Sequence, residues 1–224
     1  MTREASSATR AEEERSRLVA GASALGIAIS DDAALRLTRL LDELERWNAA
    51  YNLTSVRRRE DMLTHHLLDS LSILGDLAGV TVADVGTGAG FPGLPLAIVD
   101  PGRRFTLIDS NNKKVRFVAH AARALAVANV TAVHARAERM GVEAPFDTVV
   151  ARALAPLPEL LAEVRRLCGP RTRVLAMKGR RSEDELAAVR PPWRIVETRP
   201  ISVPGLGAER HVVVLALGPA GSPL

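Results

Sequence analysis

Cysteine is almost missing from this chain: Cys168 stands alone among 224 residues. No intrachain disulfide can form, and a reducing compartment is the expected setting. Long apolar runs are missing too, and none reaches the length that crosses a bilayer. The opening Met1-Thr2-Arg3-Glu4-Ala5-Ser6-Ser7 is polar where a signal peptide would carry its apolar core. Cytoplasmic localisation without a membrane partner is expected. Charge of one sign is in small excess only: 30 Lys and Arg against 26 Asp and Glu leave a net +4. That is too mild to establish a nucleic-acid partner by itself. Metal ligands are sparse. His65, His66 and Asp69 lie close together, but a metal site needs more ligands than the neighbourhood offers. No metal is expected, and a hydrogen-bonded histidine–aspartate pair pinning a helix is expected instead.

What is present fits one well-buried domain with an extension. Hydrophobic residues make up 47% and charged residues 25%, the ordinary balance of a globular protein. The basic residues are clustered: Arg57-Arg58-Arg59, Arg103-Arg104, Lys113-Lys114, Arg165-Arg166, then Arg171, Arg173, Lys178, Arg180 and Arg181. Such clusters suit phosphates, although base composition of a gene also produces arginine-rich surfaces.

Three regions follow from the pattern. Residues 1–16 read as a flexible tail, 17–78 as a helical extension and 79–218 as the main domain. In the extension, Ser30-Asp31-Asp32 caps a helix with Leu35, Leu37, Leu40, Leu41, Leu44 and Trp47 at helical spacing, ending at Asn52. A third helix covers about 59–74. From Val80 onward strands and helices alternate. Strands are expected near 80–85, 104–109, 129–134, 146–151, 172–177, 193–199 and 210–217. The fold class is α/β, with a seven-stranded, mostly parallel sheet. The last two strands have no helix between them, so a hairpin should make the final strand antiparallel.

Asp84-Val85-Gly86-Thr87-Gly88-Ala89-Gly90-Phe91-Pro92-Gly93 joins the first strand to the next helix. A dinucleotide fingerprint needs G-x-G-x-x-G so that a pyrophosphate reaches the helix N-terminus. Here the glycines are 86, 88 and 90, and Phe91 stands where the third would be. Asp84 would repel a pyrophosphate, but it could orient loop amides or meet an ammonium group. The second strand ends in Asp109, placed to accept hydrogen bonds from two ribose hydroxyls. D-x-G-x-G-x-G with an acid closing the next strand is the pattern of Rossmann-like, class I S-adenosylmethionine enzymes. In that sheet the backbone of Ala137 and Glu138, after the third strand, could read an adenine edge.

The fourth strand end tests reaction type. Enzymes that methylate exocyclic amines of bases usually carry Asn/Asp-Pro-Pro-aromatic there, whereas this chain has Ala151-Arg152-Ala153. Pyrimidine C5 methylation needs a cysteine near the cofactor, and Cys168, before Gly169-Pro170, reads as a buried structural thiol. An acceptor that is already nucleophilic remains. Guanine N7 has a free lone pair and needs positioning rather than a base. Trp193, Phe117 and Phe105 read as core rather than as stacking platforms.

Several motifs taken in order resemble one family. They are Trp47-Asn48-Ala49-Ala50-Tyr51-Asn52-Leu53-Thr54-Ser55, His66-Leu67-Leu68-Asp69-Ser70, the glycine turn, Leu107-Ile108-Asp109-Ser110, Lys113-Lys114-Val115-Arg116-Phe117, Ala151-Arg152-Ala153, Lys178-Gly179 and Glu209-Arg210-His211. The family is that of the bacterial 16S rRNA guanine-N7 methyltransferases, formerly called glucose-inhibited division protein B, and the likeness covers about residues 31–217. The resemblance implies S-adenosylmethionine as cofactor and 16S rRNA or the small ribosomal subunit as partner, with the target in the 530 loop. It implies cofactor contacts at Gly86, Phe91, Ala137, Glu138 and Arg152, beside Asp84, Gly88, Gly90 and Asp109, which the glycine motif and the acid closing the second strand already single out. It implies Lys178 and Arg210 as basic positions near the RNA site. Arg152, at the fourth strand end, is expected to join them as a positioning group, and methylation at N7 needs no general base. Ala151 departs from the more usual serine. A monomer is expected. Two rival readings stay open: a small-molecule methyltransferase on the same fold, and a non-catalytic RNA-binding protein.

Overall fold

The computed structural model describes residues 2–218, with side chains from residue 9 onward. Seven strands form one sheet: β1 (Thr81–Val85), β2 (Arg104–Asp109), β3 (Val130–His134), β4 (Thr148–Arg152), β5 (Arg173–Lys178), β6 (Trp193–Pro200) and β7 (His211–Leu217). Their order is β3-β2-β1-β4-β5-β7-β6. β1 to β5 pair in parallel, and β7 lies antiparallel between β5 and β6. The final strand therefore runs as its hairpin connection predicts.

Period-two alternation divides the central strands between two apolar layers. Val82, Val150, Leu175 and Val212 face one layer, while Ala83, Val149, Val174 and Val213 face the other. The first layer is covered by α5 (Gly93–Val99), α6 (Asn112–Ala124) and the N-terminal helices α1 (Thr2–Ala24) and α2 (Asp31–Tyr51). The second is covered by α7 (Leu157–Val164). Leu18, Leu37, Leu41 and Leu44 are fully buried in the same layer as Phe105 and Phe117. The extension thus shares the core of the sheet. The boundary expected at residue 16 falls inside α1, and Glu14 is already anchored there through an ion pair with Arg59 at 2.6 Å. No helix among the described residues is long and apolar enough to cross a membrane.

Local chemistry sets the ends of α2. The Ser30 hydroxyl accepts the Ala33 N–H, and Asn52 closes the helix at φ +49. After α3 (Arg59–Met62) the chain makes a π-helical turn over Leu63–Leu68 and returns to α4 (Asp69–Leu71). That turn brings His65, His66 and Asp69 to the carboxyl ends of β1 and β4. The short α8 (Glu183–Ala187) follows β5.

Candidate active site

The chain moves outward from β1 to β2 and β3, then returns to place β4 on the other side of β1. This reversal opens a crevice at the carboxyl ends of β1 and β4, where open α/β sheets take their ligands. A cavity of about 740 Å³ lies there.

The glycine turn forms its floor. Gly86, Gly88 and Gly90 have φ of +68, +61 and +85, a region that glycine enters without steric cost. A Cβ on Gly86 would lie 2.4 Å from Leu154 Cδ1, and one on Gly90 would lie 2.3 Å from Leu94 Cδ1. A Cβ on Gly88 would meet nothing closer than the Gly86 carbonyl oxygen at 3.9 Å. Only at Gly88 does the missing side chain leave space. The N–H groups of Gly86 and Thr87 both donate to the Ile108 carbonyl, which ties the turn to β2.

Asp84 holds the turn from behind and does not line the cavity; Gly90 likewise stands outside it. Asp84 Oδ2 accepts from the Thr87 hydroxyl at 2.6 Å and from the Gly93 N–H at 2.8 Å, while its buried Oδ1 has no partner among the described residues. Burial raises its pKa to about 6, against the pull of the Thr87 and Gly93 hydrogen bonds. Of the two roles open to Asp84, orienting the loop is the one this geometry fits. Asp109 does line the cavity. Its Oδ2 accepts the Gly88 N–H at 2.9 Å and its Oδ1 the Asn111 N–H at 2.8 Å. Each carboxylate oxygen keeps capacity for a further donor. Ala137 and Glu138 sit in a 3₁₀ turn after β3 and line the same wall, as does Phe91.

The opposite wall comes from the helical extension and the ends of β4, β5 and β7. Buried Asn48 fastens the loop after α2: its Oδ1 accepts the Thr54 N–H at 2.9 Å. The Thr54 hydroxyl meets His66 Nε2 at 3.0 Å, and the His66 ring stacks on Phe91 with centroids 4.6 Å apart. Burial and the nearby Arg152 lower the His66 pKa to about 3, so the ring is neutral at pH 7. The expected histidine–aspartate pair does not form. In the π-helical turn the i→i+5 pattern widens the helix, so residues three apart no longer share a face. His66 turns to Thr54 and Phe91, and Asp69 turns to two arginines. Asp69 Oδ2 accepts from Arg152 Nη1 at 3.1 Å, and its Oδ1 accepts from Arg210 Nε at 3.1 Å. Arg152 Nη1 also donates to the His65 carbonyl at 2.9 Å, and its guanidinium lies 5.8 Å from the Phe91 centroid.

Lys178 lines the cavity with its ammonium already engaged. Nζ donates to the Ala155 carbonyl at 2.7 Å and pairs with Glu185 at 2.7 Å. It thereby fixes the loop after β4, where Ala153 holds φ +49. A non-glycine residue in that region is strained, and such strain collects at functional sites. Cys168 belongs to the second apolar layer away from the cavity, and burial pushes its thiol up to about 12. Phe105 and Phe117 are core, and Trp193 packs half-buried on the second layer.

One cavity therefore gathers Gly86, Gly88, Phe91, Asp109, Ala137, Glu138, Arg152, Lys178 and Arg210. Sequence reasoning missed Thr54, His66 and Asp69 as parts of it. The signal was the pair of elements, Asn52-Leu53-Thr54 and His66-x-x-Asp69-Ser70, that stand outside the glycine motif.

The family model described as rRNA small subunit methyltransferase G matches residues 34–213. Ribosomal RNA small subunit methyltransferase G of Nitrosococcus oceani is 44% identical over 197 residues, which covers 88% of this chain and 92% of that protein. Its counterpart in Xanthomonas campestris pv. campestris is 46% identical over 184 residues, 82% of this chain and 87% of that one. Among solved structures, magnesium protoporphyrin IX methyltransferase from Synechocystis with bound SAM superposes with a TM-score of 0.54 at 20% identity, covering 84% of this chain and 98% of that chain. A SAM-dependent methyltransferase from Aquifex aeolicus gives a TM-score of 0.50 at 19% identity, covering 67% and 91%. These two share the fold.

Proposed function

Because the chain belongs to the rRNA small subunit methyltransferase G family, we propose that it transfers a methyl group from S-adenosylmethionine to N7 of a guanine in 16S rRNA. The observation that carries this reading is the two-walled cavity, with a glycine cradle and a carboxylate on one side and a carboxylate-linked arginine pair on the other.

The donor fits the first wall. Open space over Gly88 admits a ligand against bare backbone, and Asp109 is held with acceptor capacity to spare. Gly86, Gly88, Phe91, Asp109, Ala137 and Glu138 would hold it, and Asp84 would keep the turn in shape. Bound there, the donor supplies a methyl group activated by a sulfonium.

The second wall suits an acceptor that needs no base. Arginine is protonated throughout the working pH range, and neutral His66 at a pKa of about 3 is a poor proton acceptor. Guanine N7 carries its own lone pair and loses no proton. What the chain contributes is placement, and placement can supply most of the rate. An RNA is favoured over a small molecule by basic side chains at the mouth. Lys114 and the exposed Arg136 line it, 4.0 Å from Asp109 and 3.9 Å from Glu138, and Arg57 flanks the loop over residues 53–56 through Asn52. By family resemblance the target lies in the 530 loop. The reading places the enzyme in the cytoplasm as a monomer.

The test is incubation with methyl-labelled donor and small subunits that lack the modification, then nuclease digestion and mass spectrometry. Label in 7-methylguanine is expected. Label on an exocyclic amine or on pyrimidine C5 overturns the mechanism, and no label on RNA overturns the substrate.

A further inference from the structure

Among the described residues, Asp69 is the one carboxylate in contact with both arginines of the second wall. It is 1% exposed, and each of its oxygens holds a different guanidinium at 3.1 Å. The three residues come from α4, the end of β4 and the approach to β7, and all three line the cavity. A buried ion cluster of this kind is weak evidence for stability, because desolvation offsets the Coulomb gain. Its place in the cavity wall asks for a reason in the reaction.

We propose that Asp69 is a positioning residue that aims Arg152 and Arg210 and balances their charge, so that the base beside them can become cationic. This inference rests on the N7 reading. N7 uses its lone pair to form the new bond to the methyl carbon. The pair of the breaking bond stays on sulfur, no proton leaves, and one positive charge arrives on the guanine ring. Two unbalanced guanidiniums beside that ring would oppose the change electrostatically. With Asp69 between them, the pair carries the charge of one. Lys178, the other cation of this wall, is matched by Glu185. The arginines can then donate hydrogen bonds to the base and its phosphates without penalising the product.

Asp69→Asn separates this role from a structural one, since it keeps size and one acceptor and removes the charge. The probes are S-adenosylmethionine, and small subunits that carry or lack the methyl group. Donor affinity should stay within about twofold, and affinity for unmethylated subunits should hold or tighten. Turnover at saturation should fall roughly 10- to 100-fold with little change in KM. The donor-free variant should shift its preference at least fivefold away from methylated subunits. Asp69→Glu, which keeps the charge, should hold that preference and recover part of the turnover; it also serves if Asp69→Asn fails to fold. Unchanged turnover or unchanged preference in Asp69→Asn overturns the proposal, as does loss of donor affinity in step with turnover. Identification of the methylated atom with the wild-type enzyme reports separately on the N7 reading.

Discussion

Replacing Gly88 by alanine isolates the donor cradle from the fold. At φ +61 an L-residue enters the left-handed region, at a cost of about 1–2 kcal/mol. No packing penalty adds to it, because the new Cβ has no neighbour closer than 3.9 Å. For a chain of this size the expected fall in Tm is roughly 2–8 °C. The same methyl group intrudes on the space assigned to the donor. Overfilling a fitted site costs about 1–3 kcal/mol, or roughly 5- to 150-fold in Kd. Gly93→Ala is the contrasting control. Its Cβ would lie 2.7 Å from both Asp84 Oδ2 and Leu107 Cγ, so it should lose stability first. Calorimetric titration with S-adenosylmethionine and with its demethylated product, beside thermal melts, measures both effects. A folded Gly88→Ala protein that binds both ligands within twofold of wild type refutes the assignment of the cradle.

Asp84 gives a pH prediction. Burial raises its folded pKa to about 6, above the ordinary carboxylate value of 3.8, so its contribution to stability is full below pH about 4 and is lost as pH rises through 6. The loss is about 3 kcal/mol, and denaturant melts of donor-free Asp84→Asn should lack it; an identical pH profile in the variant refutes the cause. Cys168→Ala should keep methyl transfer, since the thiol is buried away from the cavity, and loss of activity in a folded variant would reopen covalent catalysis. Native Cys168 should also resist alkylation at pH 8, because burial holds the thiol protonated.

The sheet was legible because its strands are apolar runs broken by turn residues, and the missing helix before β7 announced the antiparallel end. The glycine turn and Asp109 were legible because strand, turn and helix are contiguous in sequence. Of the acceptor wall, Arg152, Lys178 and Arg210 were legible as residues, but their partnerships were not. Asp69 meets Arg152 and Arg210 across 83 and 141 residues, and no local pattern records a partnership of that reach. Helical spacing also misled at His66 and Asp69, because a π-helical turn shifts the register that an α-helical pattern assumes. Lys178 read from sequence as one of the clustered basic residues, while its partner Glu185 lies in α8 and becomes visible only once β5 and the loop after β4 are packed.

The central claim is that N7 of one guanine in the small-subunit RNA receives the methyl group. Borohydride reduction and aniline cleavage break RNA at 7-methylguanine, and primer extension then reads the position. Subunits lacking the modification should gain one enzyme- and donor-dependent stop, in the 530 loop of 16S rRNA. Methyl incorporation without any cleavage, or cleavage outside 16S rRNA, would contradict the account.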